Sequence, residues 1–183
     1  MIRSDSSRAD SAASFAAWIV SREELLMDRG PSRRVVAIIQ ARLGSSRFPR
    51  KTLALLSGSP IVAHVVRRVR AVPEVSAVVA AIPFSDDLAL TNACHLSGVD
   101  RVIYGSEQNV LLRFCHAAAL MKADVVMRVT GDCPLLSSVA ASDVIRHYRE
   151  DVKSRRFWSN DTTRSGWPDG TDVEVFSSGL LSE

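Results

Sequence analysis

Residues 35–40 read Val-Val-Ala-Ile-Ile-Gln, an unbroken apolar run closed by one polar residue. A strand with one face in water would alternate, so a run like this suits a strand buried on both faces. Such a strand needs a layer above it and a layer below. Residues 75–82 read as a second buried strand, and 101–104 and 124–130 as further strands. Helices are expected between them. Residues 60–72 carry apolar side chains at helical spacing, with Pro60 suited to the first turn. Ser85 can cap a helix to about residue 97, with Asp86 and Asp87 in its positive first turn. Ser106 and Glu107 are expected to open a helix running through Leu111, Leu112, Cys115, Ala119 and Leu120, and 137–149 is helical. Residues 157–159 and 172–176 read as closing strands. This order predicts an α/β domain, a mostly parallel sheet with helices on both faces. Ligands of such sheets bind beyond the carboxyl ends of the strands.

The chain has 183 residues, 46% of them hydrophobic, which is ample for one core. Its net charge is only +3, and the basic residues are dispersed apart from Arg33-Arg34, Arg67-Arg68 and Arg155-Arg156. A nucleic-acid groove asks for a denser basic face, so no nucleic acid is expected as a partner. No apolar run is long enough to span a bilayer, and no membrane is expected either. Cys94, Cys115 and Cys133 are odd in number, widely spaced and outside any zinc pattern, which points to a reducing, cytoplasmic setting. Residues 1–33 differ from the rest, being rich in Ser, Ala and Arg. They are expected to be a disordered or spurious extension, with Met27 as an alternative start. Residues 34–183 are expected to form the domain.

The loop after the first strand carries the strongest chemistry. It runs Gln40-Ala41-Arg42-Leu43-Gly44-Ser45-Ser46-Arg47-Phe48-Pro49-Arg50-Lys51. Gly44 permits close approach of an anion to the backbone. Ser45 and Ser46 add hydroxyl and amide donors, and Arg42, Arg47 and Lys51 add cations suited to a polyphosphate. A basic surface loop is the plain alternative. The loop is not a Walker A motif: Gly44 is one position too early, and Arg50 stands where a Gly must precede the Lys.

This loop resembles the signature of the cytidylyltransferase family, which includes CMP-sialic acid and CMP-Kdo synthetases. It is most similar to the spore-coat polysaccharide biosynthesis protein F branch. Three further motifs follow in the same order: Gly105-Ser106-Glu107-Gln108-Asn109-Val110-Leu111, then Arg128-Val129-Thr130-Gly131-Asp132-Cys133-Pro134-Leu135, then Trp167-Pro168-Asp169-Gly170-Thr171-Asp172-Val173-Glu174-Val175-Phe176. The resemblance implies a Rossmann-like nucleotidyltransferase fold and transfer of CMP from CTP to a sugar acid, for surface polysaccharide or glycan synthesis. Arg42, Gly44, Ser45, Arg47 and Lys51 would bind the nucleotide, with Arg42, Lys51 and Asp132 as the catalytic set. Arg128, Asp169 and Asp172 would meet the acceptor. The partners implied are CTP and a sugar acid, with a homodimer entertained.

Two departures from the family stand out. Arg50 replaces a usual Gly, and would strain the loop if that position has positive φ. The family also continues past the equivalent of Glu183, through a strand ending in a metal-binding Asp and a closing helix. A domain truncated at its carboxyl end is therefore expected to be poorly active and marginally stable, with strands 35–39 and 125–129 partly exposed. The alternatives are a non-catalytic nucleotide-binding remnant, or a nucleotide-sugar transferase using another NTP.

Asp132 follows a buried strand and faces the triphosphate loop, where Mg²⁺ would take one carboxylate plus phosphate oxygens. It could equally cap a turn. Asp172 and Glu174 share one strand face, with Val173 and Val175 on the other, so the acids either face solvent or sit near the acceptor. His64, His95, His116 and His147 all fall in expected helices without metal-ligand spacing, so no hydrolase triad is indicated.

Overall fold

The computed structural model describes residues 33–86, 88–151, 157–160, 166–168 and 170–182. The apolar runs become the centre of one sheet. β1 (Val35–Gln40) lies between β4 (Val75–Pro83) and β6 (Val125–Thr130), parallel to both. β5 (Arg101–Gly105) extends the parallel set beyond β4. Beyond β6 the direction reverses. β8 (Glu174–Ser177) runs antiparallel to β6, and β7 (Phe157–Ser159) antiparallel to β8 at the edge. The full order is β5-β4-β1-β6-β8-β7. A separate small hairpin, β2 (Leu55–Leu56) and β3 (Ser59–Pro60), follows the β1 loop.

Helices cover both faces unequally. α1 (Ile61–Arg70), α2 (Leu88–Leu96) and α4 (Ser138–Glu150) pack on one side through Val62, Val65, Val66, Leu90, Cys94, Val144, Ile145 and Tyr148. α3 (Val110–Leu120) packs on the other through Phe114, Ala117 and Ala118, joined by Leu180 and Leu181 of the 3-10 turn Ser178–Ser182. The centre of the sheet is therefore fully covered. Residues 35–39 and 125–127 are all 0% exposed and Val129 1%. The expected partial exposure of these strands is not seen, because helices cover one face and α3 with the 3-10 turn covers the other.

Three helix starts differ from the sequence reading. Pro60 is the N-cap of α1 rather than a first-turn residue, since it also pairs in the hairpin. α3 opens at Asn109, whose side chain accepts from the Leu112 N–H. Ser106, expected at the helix start, instead accepts from the Asn109 N–H with its hydroxyl. Ser85 donates to the Glu107 carboxylate, and the Asp86 carboxylate is turned away toward the β1 loop, as described below. Ser137 does cap α4, accepting from the Ala140 N–H. All four histidines lie in helices. Among the described residues, no helix is long and apolar enough to cross a membrane.

Candidate active site

β4 and β5 lie on one side of β1, and β6 on the other. The crossovers thus leave β1 in opposite directions, and the strand ends part there to form a crevice, the place where open α/β sheets bind ligands. Gln40, Arg42, Ser45, Arg47, Lys51, Thr52, Thr130, Gly131 and Asp132 line a cleft of about 220 Å³ at this point. Five of the expected residues meet here: Arg42, Ser45, Arg47 and Lys51 from the β1 loop, and Asp132 from the end of β6.

The loop is held by its own backbone and by two neighbouring elements. The Ser45 and Arg50 N–H groups both donate to the Leu43 carbonyl, at 2.9 and 3.1 Å. The Leu43 N–H donates to the Asp86 carboxylate at 3.1 Å. The buried Thr52 hydroxyl donates to the Arg42 carbonyl at 3.3 Å. Gly44 sits beside the Glu107 carboxylate: a Cβ there would stand 2.8 Å from Glu107 Oε1, a side-chain end that can move aside. Arg50 has φ 58° and ψ 26°, the left-handed conformation that its replacement of Gly makes costly.

Across the cleft, Gly131 donates its N–H to the Gln40 carbonyl at 2.8 Å, extending the β1–β6 pairing past the strand ends. A Cβ at 131 would lie 2.8 Å from Ala41 Cβ and 3.1 Å from the Gln40 carbonyl oxygen, so the approach requires Gly. Asp132 then projects toward the loop, and Lys51 Nζ stands 2.5 Å from its Oδ2, both side chains about one-third exposed. Burial pushes the Asp132 carboxyl up. The hydrogen bond and charge of Lys51, with help from the Thr130 hydroxyl and the local backbone, more than offset this and hold it below its ordinary value. Asp132 is therefore ionised at neutral pH. Burial pushes the thiol of the neighbouring Cys133 up, the Thr130 hydroxyl and Lys51 lower it, and Asp132 and Asp172 raise it further, with a net rise that favours the protonated thiol.

The acceptor-side candidates are less gathered. Arg128 does not line the cleft. Its guanidinium pairs with Glu174 of β8 and reaches Gln40 Oε1 at 3.5 Å, tying three strands together behind the cleft. Glu174 is thus engaged rather than simply solvated, while Val173 and Val175 are buried as the strand alternation requires. Asp172 is half-buried and lies within electrostatic reach of Cys133. Asp169 lies outside the described residues. Sequence reasoning missed Gln40, Thr52, Thr130 and Gly131 as lining groups. The polar end of the β1 run and the Thr-Gly-Asp sequence were the available signals for three of these.

A larger opening of about 380 Å³, lined by Arg34, Asp100, Arg101, Leu120, Met121 and Lys122, lies at the amino-terminal end of the sheet. That is the wrong end for a ligand site in this fold. Its one carboxylate, Asp100, is already held by Arg70 and the Val78 N–H.

The cleft at the switch point thus has three cations on one wall and a carboxylate on the other, in a Rossmann-like fold. Residues 36–177 match the model of the cytidylyltransferase family, and the chain belongs to that family. Among its relatives, the 3-deoxy-manno-octulosonate cytidylyltransferase of Anaeromyxobacter sp. (strain Fw109-5) is 38% identical over 116 residues, covering 62% of this chain and 46% of the relative. A solved cytidylyltransferase structure from Leptospira borgpetersenii superposes with TM-score 0.75 at 27% identity, over 81% of this chain and 62% of that one. The fold is also that of CMP:2-keto-3-deoxy-manno-octonic acid synthetase, solved with CTP, at TM-score 0.63 and 20% identity over 81% and 76% of the two chains. The chain spans about half the length of the curated relatives it matches.

Proposed function

We propose that this chain binds CTP in the β1–β6 cleft and serves transfer of CMP to a sugar acid, releasing pyrophosphate. One observation carries the reading: Lys51 of the phosphate loop and Asp132 of the opposite strand end meet at 2.5 Å inside the cleft. An ammonium and a carboxylate placed together there mark where a phosphate and its counter-ion would exchange with them. The 3-deoxy-manno-octulosonate relative and the CTP-bound synthetase support CTP and a 2-keto sugar acid as the substrates. The likeness of four motifs to the spore-coat branch supports a surface polysaccharide as the destination. The three free cysteines fit a reducing cytoplasm.

In this reading Arg42, Arg47 and Lys51 neutralise the β- and γ-phosphates, while Ser45 and the Gly44 backbone hold them. The acceptor hydroxyl oxygen forms a bond to the α-phosphorus, its proton passing to solvent, as the bond from that phosphorus to the α–β bridging oxygen breaks, and pyrophosphate leaves along the cation wall. Rate comes from alignment and from charge neutralisation fixed in advance. Asp172, and Asp169 with it, would accept hydrogen bonds from the acceptor, and Arg128 would fix Gln40 beside it. The donor set suits Mg²⁺ brought by the nucleotide: one ionised carboxylate, Asp132, and, among the described residues, no group of three metal-binding side chains. When bound, that ion would neutralise charge developing on the phosphates. The test is a matrix of the four NTPs against sugar acids, read as pyrophosphate release and CMP-sugar formation. CTP-dependent turnover with a 2-keto sugar acid is expected. Tight CTP binding with no turnover against any acceptor would instead identify a nucleotide-binding remnant.

A further inference from the structure

Arg113, in the first turns of α3, is 0% exposed and is the largest fully buried side chain among the described residues. A buried guanidinium costs far more than a Leu or Met of similar volume unless its surroundings use the charge. Its stem lies flat on Gly105, where a Cβ would stand 2.6 Å from Arg113 Cγ. Its Nη1 donates to the Ser106 carbonyl and, at 3.2 Å, to the Glu107 carbonyl. Nε and Nη2 make no hydrogen bond among the described residues. Burial pushes the guanidinium down, Asp86 and Glu107 pull it up, and Arg42 pushes it down. These three charged neighbours all belong to the layer around the phosphate loop. Asp86 holds the Leu43 N–H, and Glu107 lies across Gly44 with its other oxygen on the Ser85 hydroxyl at 3.2 Å.

Two carboxylates therefore sit against the Leu43-Gly44 segment, where a triphosphate must approach. Unbalanced, they would repel it. We propose that Arg113 is a positioning residue for nucleotide binding: its buried guanidinium fixes the Ser106–Glu107 turn against Gly44 and balances the charge of Asp86 and Glu107 behind the loop that carries Arg42. It touches no substrate. Its effect passes through the turn and the loop, so it acts on the phosphates and not on the base. The proposal rests on the loop being the triphosphate site.

The variants are Arg113→Met, Arg113→Lys and Gly105→Ala, the last displacing the guanidinium stem without removing its charge. Each is titrated with CTP and with inorganic triphosphate by calorimetry, well below its melting temperature, and its KM and kcat are measured. Arg113→Met is expected to weaken both ligands by about tenfold, the scale of one lost charge-assisted contact. KM for CTP should rise in step, with kcat within about twofold of the wild type because Asp132, after β6, and Asp172, before β8, lie outside the turn and loop that Arg113 holds. Arg113→Lys should recover part of the loss, and Gly105→Ala should show a smaller loss of the same kind. Folded variants that bind both ligands as the wild type does would overturn the proposal, as would a fall in kcat with unchanged KM. If Arg113→Met fails to fold, the other two variants decide on the same criteria. Wild-type protein that binds triphosphate but does not prefer CTP contradicts only the choice of base. Wild-type protein that binds neither contradicts the nucleotide site itself, and this proposal with it.

Discussion

Replacing Lys51 by Ala separates the two roles of the Lys51–Asp132 pair. The pair is about one-third exposed on each side, so solvent screens it and its worth to stability is about 0.2–1 kcal/mol. The melting temperature should fall by no more than roughly 2–4 °C for a domain of this size. The nucleotide loses more. A charge-assisted bond to phosphate contributes about 1.5–3 kcal/mol, so CTP affinity should drop roughly 10- to 150-fold. The pH dependence supplies a second signature. Lys51 is the main group holding the Asp132 carboxyl below its ordinary value. A depressed folded-state pKa contributes stability that is present above the unfolded value of about 3.9 and is lost as pH falls through the folded value. The melting gap between wild type and Lys51→Ala should therefore be full at pH 6–7 and narrow progressively as the pH falls below about 4. Calorimetric CTP titration at neutral pH, with thermal melts across the acid range, measures both. Unchanged CTP affinity would refute the phosphate assignment of Lys51. A melting gap that does not narrow at all as the pH is lowered below about 4 would refute the pairing as its source.

Arg50→Gly should stabilise the protein by up to about 1 kcal/mol, since relief of the left-handed backbone exceeds the added unfolded-state entropy; a lower melting temperature would show that the Arg50 side chain contributes more than its backbone costs. Gly131→Ala should destabilise by about 1–3 kcal/mol and weaken CTP binding, because the new Cβ meets backbone at the β1–β6 junction rather than a movable side chain; an unchanged denaturant midpoint would count against that junction. Asp132→Asn should keep the fold and abolish divalent-ion-dependent transfer, as the amide keeps the shape but loses the charge; turnover at ordinary Mg²⁺ would leave Asp132 as a turn residue.

The parts of this fold written in local pattern were readable. Apolar runs at 35–40, 75–82 and 124–130 gave the buried strands, and the helices between them gave the crossovers and so the sheet's ligand-binding end. The parts set by long-range contact were not. β2 and β3 are two residues each, too short to leave a period. The reversal to antiparallel β8 and β7 depends on which edge of β6 is free, which no local pattern records. Within the site, the cations of the loop and Asp132 were visible as residue types at a strand end. The Asp86–Leu43 and Glu107–Gly44 contacts, spanning 43 and 63 positions, were not, and Asp86 looked like a helix-capping charge. The burial of Arg113 left no local signal, because it depends on Gly105 at the end of another element.

The most direct measurement is a crystal structure of the protein with CTP and Mn²⁺, the metal located by its anomalous signal. The triphosphate is expected along Arg42, Ser45 and Lys51, the metal beside Asp132, and Lys51 Nζ withdrawn from Asp132 beyond about 4 Å, the limit of an ion pair. A triphosphate bound elsewhere, or bound with the Lys51–Asp132 pair intact, would contradict this.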